Sequence, residues 1–424
     1  MSTTLQSRFA RSAALYEAAC QTLPGGVPAG GKPMLPPGQA PLYFDRGQGA
    51  RIRDVDGNEY IDYVLAYGAI VLGYAHPDVD QAAIREVGRG MLLSMNHPLQ
   101  LEFLQAVLRR FPHADMGYFM KSGSEATTAA VRMARRFTGR RKIVRCGFHG
   151  WHDWCFPDDG STPAGLEQQV LPLRDISPDG LAALLARHPR EVAAVIVAPE
   201  MVLPLRREAL QGMVDAAHAA GALFVLDEIK TGFRTPGGSV QHHLGVHPDL
   251  TTLSKALGNG WPVATVIGRR EVLQAGAGLH LSATYHGDTA AMAAAIANLE
   301  ILEREHVADH AWRLGERLIA GLNAIAARHR VPARAYGEPL PPMPFMAFTH
   351  PDESVNEALR AVFYQAMFER GVLLHPRHLW YIALAHTEAE IDATLAAADD
   401  AMALAQREVL AAQSIARARQ LQEA

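Results

Sequence analysis

Three short runs constrain this chain more than any other feature: "KIVRC" (142–146), "AAVIVAP" (193–199) and "LFVLDE" (223–228). Each is continuously or nearly continuously apolar rather than alternating. A strand with one solvated face alternates, whereas a strand covered on both faces has no need to. Helical patterns lie between the runs, over 125–139 and about 206–220, so helix and strand alternate from about residue 100 to 300. The pattern predicts an α/β fold whose large domain is a mainly parallel sheet covered by helices.

The chain ends read differently. An N-terminal helix leads into a proline- and glycine-rich connector over 23–41, then "PLYFDRGQGARIRDVDGNEYIDYV" alternates like strands that turn at Asp56-Gly57. The last hundred residues hold a strand near "PFMAFTHP", a helix over about 354–370, the strand "GVLLHP" and a long final helix. That helix opens on the capping box Thr387-Glu388-Ala389-Glu390. The expected organisation is a segment 1–65 that contributes to a smaller α+β domain, a large domain over 66–310, and a C-terminal part of the small domain over 311–424.

Composition narrows the class of protein. Across 424 residues, 40 basic and 44 acidic side chains give a net charge of −4 without long runs of either sign. That balance argues against nucleic acid or an anionic membrane as partner. Cys20, Cys146 and Cys155 are odd in number and lack metal or redox spacing, which fits a reducing cytoplasmic setting. The N-terminus lacks a signal-type apolar core, and no 18-residue apolar stretch occurs, so a soluble cytoplasmic protein is expected.

Against this background Lys255 stands out, set in "DLTTLSKALGNGWPVATVIGRR" between a Thr/Ser-rich approach and a Gly-Asn-Gly-Trp-Pro turn. A surface lysine needs no such setting; one that must lose its proton and attack a carbonyl does. Asp227 ends the run "LFVLDE", at the strand end where open α/β sheets bind ligands. It can hold a protonated ring nitrogen or merely cap the next segment. In "MKSGSEATTAAVRMARRF", Ser122-Gly123-Ser124 opens a helix and can cradle a phosphate, although Ser124 would serve equally as an ordinary N-cap. His149 and His152 in "HGWHDW" suit packing and local hydrogen bonding. His243 and His247 are spaced i,i+4, but Gly245 interrupts any helix, and no metal site is expected. Tyr63 and Tyr67, also i,i+4, read as core, with Tyr67 a candidate for touching substrate.

Taken together, a phosphate cradle, an aromatic "FHG", a strand-end aspartate and a lysine resemble the class III (ω-type) PLP-dependent aminotransferases of fold type I, near the branch of glutamate-1-semialdehyde aminomutase. "LPGGV", "DVDGNEYIDYV", "VLGYAHP", "SGSEAT", "LDEIKTGFR", "TTLSKALGNGWPV" and "LAHTEAEIDATL" carry the likeness over nearly the whole chain. The resemblance implies pyridoxal 5′-phosphate as cofactor, bound in the large domain, with Lys255 forming the Schiff base and later shuttling a proton. It implies that Asp227 pairs with the pyridine nitrogen. Ser122, Gly123 and Ser124 serve the phosphate, Phe148 covers one ring face beside His149, and Ile229 packs on the other. Thr284 would reach the phosphate of a neighbouring subunit, so a homodimer with shared sites is implied.

Three departures from that pattern bear on substrate. Lys32 stands where the aminomutases clamp a carboxylate with arginine, and lysine lacks the bidentate fork. The usual Glu-Pro after the 193–197 run is Ala198-Pro199, with Glu200 displaced by two. The segment Arg377-His378-Leu379-Trp380-Tyr381 is short, and β-amino-acid transaminases of the class carry an arginine in a setting similar to that of Arg377. Trp380 and Tyr381, with Tyr67 opposite, are expected to form an aromatic wall. The expected activity is ping-pong transfer of an amino group from an amine or amino compound, with or without an α-carboxylate, to a keto acid such as pyruvate or to an aldehyde. Tyr67, Arg377 and Lys32 are the candidate substrate contacts. An aminomutase or amino-acid racemase is the alternative within the fold, and a binding or regulatory module lies outside catalysis.

Overall fold

The apolar runs become central strands. The computed structural model describes residues 8–27, 41–156, 160–337 and 340–411. Its N-terminal strands are β1 (Phe44–Gln48), β2 (Arg51–Asp54) and β3 (Glu59–Asp62). Then come β4 (Met116–Met120), β5 (Lys142–Cys146), β6 (Val170–Pro172), β7 (Val192–Val197), β8 (Leu223–Asp227), β9 (Leu250–Leu253) and β10 (Ala264–Gly268). The chain closes its strand set with β11 (Ala333–Tyr336), β12 (Phe345–Phe348) and β13 (Val372–Leu373).

Strands β4 to β10 form one seven-stranded sheet in the order β4-β10-β9-β8-β7-β5-β6. Every residue of β7 and β8 is buried. Val195 and Val197 pack into the cluster that holds Leu181, Leu210 and Met213, from helices Pro178–Ala186 and Arg207–Ala219. Ala194 and Ile196 pack the other way, with Ala126, Ala130 and Met133 of helix Gly123–Thr138. Two covered faces explain the continuous apolar runs.

All neighbours are parallel except those of β10, which runs antiparallel to both β9 and β4. The link from β9 to β10, residues 254–263, is shorter than the dozen or so residues a parallel crossover needs. It carries Lys255 instead of a crossover helix. Because β4 and β9 share a direction, the carboxyl ends of β4, β5, β8 and β9 all open on one edge of the sheet.

A second sheet, β1-β2-β3-β13, joins the two ends of the chain. Strand β13 pairs parallel to β3, with Val372 opposite Ile61 and Leu373 opposite Asp62. Strands β11 and β12 form a separate antiparallel pair. The capping box that opens the last helix, Glu388–Ala405, is present: Glu390 accepts from both the N–H and the hydroxyl of Thr387. Among the described residues, no helix is long and apolar enough to cross a membrane.

Between β3 and the site, the chain departs from the helical spacing read for Tyr63 and Tyr67. Leu65, Ala66 and Tyr67 have φ of 48°, 51° and 55°, a left-handed turn of three non-glycine residues. The turn separates the two tyrosines. Tyr63 is core, its hydroxyl 2.8 Å from Thr394 Oγ1, whereas Tyr67 is 40% exposed. Such backbone costs on the order of 1–3 kcal/mol per residue and persists only where something holds it. Asp62 is the clamp. Its buried carboxylate accepts from Val64 N (2.7 Å), Leu65 N (3.1 Å) and Tyr74 Oη (2.6 Å). Burial pushes the Asp62 carboxyl up, and these three donors oppose that shift. Asp62→Ala strands two buried N–H groups and a hydroxyl, so it should lower unfolding free energy by about 3 kcal/mol or more in a urea titration.

Candidate active site

The shared edge of β4, β5, β8 and β9 encloses a cavity of about 160 Å³ whose lining includes Gly123, Ser124, Phe148, His149, Asp227, Ile229 and Lys255. Seven of the positions singled out in the sequence thus meet in one place.

At one end lies the start of helix Gly123–Thr138. Its N-cap is Ser122, not Ser124: Ser122 Oγ accepts from Glu125 N (3.3 Å), and Glu125 Oε2 accepts from Ser122 N (2.8 Å). The Ser-x-x-Glu spacing of residues 122–125 is the signal for that cap. Ser122 is thereby committed to the helix, while Ser124 Oγ has only a long contact from Trp151 N, at 3.4 Å. The first N–H groups of the helix have no intrahelical acceptor, and Gly123 and Ser124 carry two of them at the cavity wall. A side chain at Gly123 would put its Cβ 2.8 Å from Ile229 Cδ1, so glycine lets Ile229 lie against the helix start.

Asp227 closes the buried end and is 3% exposed. Its Oδ1 accepts from Thr252 Oγ1 (2.9 Å) and Ile229 N (3.2 Å), and its Oδ2 lies 2.6 Å from His149 Nδ1. An ionised carboxylate only accepts, so Nδ1 carries the histidine proton. The bond to Ile229 N is the local cap that a strand-end aspartate offers; the bonds from His149 and Thr252 go beyond capping. His152, by contrast, bonds Thr128 Oγ1 at 2.7 Å and is local support.

Lys255 sits in a left-handed conformation, φ 47°, at the turn after β9. Burial, then the nearby Lys230 ammonium, brings its amine down to about 8, with Glu200 and Asp227 acting in the opposite sense. Lys230 pairs with Glu200 at 2.8 Å, and both line the cavity. Neither the Lys230 cation nor its pairing was evident from sequence, although Lys230 lies inside the "LDEIKTGFR" landmark. Arg234, from the same landmark, is 1% exposed. Its guanidinium donates to Lys230 O (3.1 Å), Ile382 O (3.5 Å) and Gly68 O, and it lies 4.8 Å from the Tyr381 ring centroid. It thereby ties together the Tyr67 turn, the Lys230 loop and the C-terminal segment. Burial lowers its pKa to about 10.

Other candidates are placed around this centre. Phe148 lines the cavity yet is 55% exposed, a ring face at its mouth. Tyr67 faces His378 and His375, with ring centroids 5.3 and 5.8 Å away. Arg377 is paired with Glu357 at 2.7 Å and lines an adjoining cavity that shares Glu200 and Lys230. Thr284 is exposed and outside the cavity lining. Lys32 lies outside the described residues. His243 and His247 lie against Trp312 and His113 respectively in tilted ring contacts, away from the site, and the described residues contain no group of three ligands arranged for a metal.

The expected wall of Trp380 and Tyr381 is corrected: both are fully buried. Trp380 N and Ile382 N donate to Pro344 O and Pro342 O, while Tyr381 N and Leu384 N donate to Tyr63 O and Val71 O. The segment is held on both sides like an inner strand, and the two rings go into the core. His375 and His378 are the rings that meet Tyr67 instead.

A family model described as aminotransferase class-III matches residues 35–402. The 3-aminobutyryl-CoA aminotransferase of Cloacimonas acidaminovorans is 34% identical over 408 residues, covering 93% of this chain and 97% of that protein. The glutamate-1-semialdehyde 2,1-aminomutase of Chloroflexus aggregans is 34% identical over 437 residues, covering 95% and 99%. Among solved structures, the FumI protein of Sphingopyxis sp. MTA144 in its PLP internal aldimine form has a TM-score of 0.87 at 28% identity, covering 94% of this chain and 97% of that one. The chain belongs to the class III aminotransferases, the PLP-dependent enzymes that its motifs resemble. Its cavity fits that cofactor on chemical grounds. Free helix-start N–H groups suit a phosphate, a buried carboxylate suits a ring cation, and a lysine with a lowered pKa suits a carbonyl.

In cofactor-free protein the neutral fraction of Lys255 should grow as pH rises through about 8, rather than near the ordinary 10.5. Labelling of the Lys255 peptide by an amine-reactive reagent, followed by mass spectrometry, should reach half its limiting rate near pH 8. A midpoint near that of surface lysines would show that the cavity does not activate the amine.

Proposed function

We propose that this enzyme is an aminotransferase that takes an amino group from an amine without an α-carboxylate at the reacting carbon. It gives that group to a keto acid such as pyruvate, in two half-reactions of ping-pong type. The observation that carries the reading is the Lys255 amine, buried and lowered toward neutrality, in one cavity with the doubly held Asp227 carboxylate. Bound pyridoxal phosphate supplies the electron sink. With the cofactor bound, Lys255 Nζ would accept the proton from the amine-bearing carbon and hand it on to the cofactor, and would carry a proton the opposite way, from cofactor to acceptor carbon, in the second half-reaction. Asp227 holds the ring-nitrogen proton, and His149 and Thr252 fix its orientation. Gly123 and Ser124 bind the phosphate with backbone N–H groups and the Ser124 hydroxyl. Phe148 and Ile229 exclude water from the ring faces.

The choice of amine rests on what surrounds Lys255. Among the described residues that line its cavity there is no arginine, so nothing at its wall requires an α-carboxylate of the amine. Arg377, in the adjoining cavity, is the contact for the keto acid, and Tyr67, whose ring meets His375 and His378, is a further substrate contact.

A homodimer completes the site in this reading. Thr284 is exposed on a segment tied to the helix start through Lys121–Asp288 (2.8 Å) and His286–Glu125 (3.4 Å). Beside it, Met91 is held by Thr289 N, and Leu93, Met95 and Tyr285 are exposed, an apolar surface that a second copy would cover. We place the small domain in the two chain ends, where β3 meets β13, and the enzyme in the cytoplasm, in keeping with its three free cysteines.

Mixing the holoenzyme with an amine and no acceptor should bleach the cofactor absorbance, and pyruvate should restore it. Product formed without an acceptor would instead indicate an aminomutase or racemase. Lys255→Ala should lose all but a few per cent of turnover; retained activity would remove Lys255 from the mechanism. Arg377→Ala should raise the KM for keto acid by about tenfold, roughly 1.4 kcal/mol, and an unchanged KM would reassign the acceptor contact.

A further inference from the structure

The cavity beside the Lys255 site has a wall that its own residues leave incomplete. It holds about 290 Å³, near the roughly 300 Å³ at which small-molecule sites begin. Most of its lining is hydrocarbon, from Val202, Leu205, Leu340, Met343 and Leu379. Glu200 and Lys230 line this cavity and the Lys255 cavity alike, so the two spaces meet at that ion pair.

Glu200 is the unfinished part. Its side chain is only 8% exposed, and Oε1 lies 2.8 Å from Lys230 Nζ. Lys230 thus meets Oε1 as an ion pair, but Oε2 accepts a hydrogen bond from no described residue. Buried polar groups nearly always have such partners, and a missing one costs about 1–3 kcal/mol. The carboxylate therefore calls for a donor from a ligand.

Charge decides what kind of donor. The Glu200–Lys230 pair is neutral overall, in surroundings of low dielectric. Beside Glu200 a ligand carboxylate would be repelled at close range. Arg377, which lines the same cavity and is paired with Glu357 at 2.7 Å, serves the keto acid of the other half-reaction. A ligand ammonium beside Glu200 would join Lys230 and Lys255 as a third cation. A hydroxyl brings a proton to share and no charge. The apolar lining in turn asks for an alkyl chain.

We infer that this second cavity is a specificity subsite for the amino donor, which takes the donor's alkyl chain and has Glu200 accept a hydrogen bond from a hydroxyl on it. The donor class is then the aliphatic amino alcohols. This deepens the aminotransferase reading and rests on it.

The test titrates holoenzyme with butylamine through decylamine, and with the same chains carrying one hydroxyl at successive carbons, following the bleaching of the cofactor. In wild type the dissociation constant should fall with chain length until the cavity is filled, and the best-placed hydroxyl should tighten binding by about tenfold. Glu200→Met should erase the hydroxyl preference at equal chain length, a ratio insensitive to general effects on Lys255. Leu379→Trp, which fills part of the cavity, should weaken the long amines and leave butylamine unchanged. Constants independent of length, or a hydroxyl preference that survives Glu200→Met, would overturn the subsite while bleaching and its reversal by pyruvate leave the aminotransferase intact. Absence of bleaching with every amine would overturn both.

Discussion

A strand covered on both faces has room for polar chemistry only at its ends, and this constraint organises the molecule. Strands β7 and β8 spend their interior residues on two helical layers, so the first carboxylate of β8 is its last residue, Asp227. On the neighbouring strand, Thr252 is fully buried, and its hydroxyl is satisfied by that same carboxylate. The ligand site is thus where the parallel sheet runs out of places to hide a charge. Lys255 follows from the same rule one strand further on, because the short turn from β9 to β10 brings its amine back over the strand ends.

That constraint also explains how much could be read from the chain alone. The apolar runs at 142–146, 193–199 and 223–228 reported two-faced burial directly, Asp227 was legible as the charge that ends the last of them, and Lys255 by the Thr/Ser-rich approach and the Gly-Asn-Gly-Trp-Pro turn around it. Local spacing was informative where the interaction itself is local. Ser122 caps Glu125 within one helical turn, and the choice of Ser124 overlooked that spacing. Proximity in sequence misled at Trp380 and Tyr381, because neighbours in an extended segment are placed by the strands on either side and not by Arg377. Arg234 and Lys230 were silent for a further reason. Their roles depend on carbonyls and a carboxylate contributed by distant segments, which no periodicity records.

Arg234 shows how such distant pieces are kept in register. A buried guanidinium without a carboxylate is costly unless its donors are met, and here three carbonyls and one aromatic face meet them. The arrangement makes the left-handed turn at Tyr67, the Lys230 loop and the segment after Tyr381 depend on one side chain. Asp62 does the same from the other side of the turn. Tyr67 is therefore presented by a stretch of backbone anchored at both ends, although its ring is partly exposed.

The pairing of β3 with β13 carries a consequence for the birth of the protein. Ile61 waits for Val372, more than three hundred positions later in the chain. During synthesis from the N-terminus, the edge of β3 emerges long before the strand that covers it, while the central sheet has all its strands by Gly268. Contacts so far apart are slow to close, and an uncovered strand edge is open to pairing with other chains in the meantime. The order of assembly is thus written into the topology: the central sheet can assemble first, and the sheet that joins the chain ends must close late.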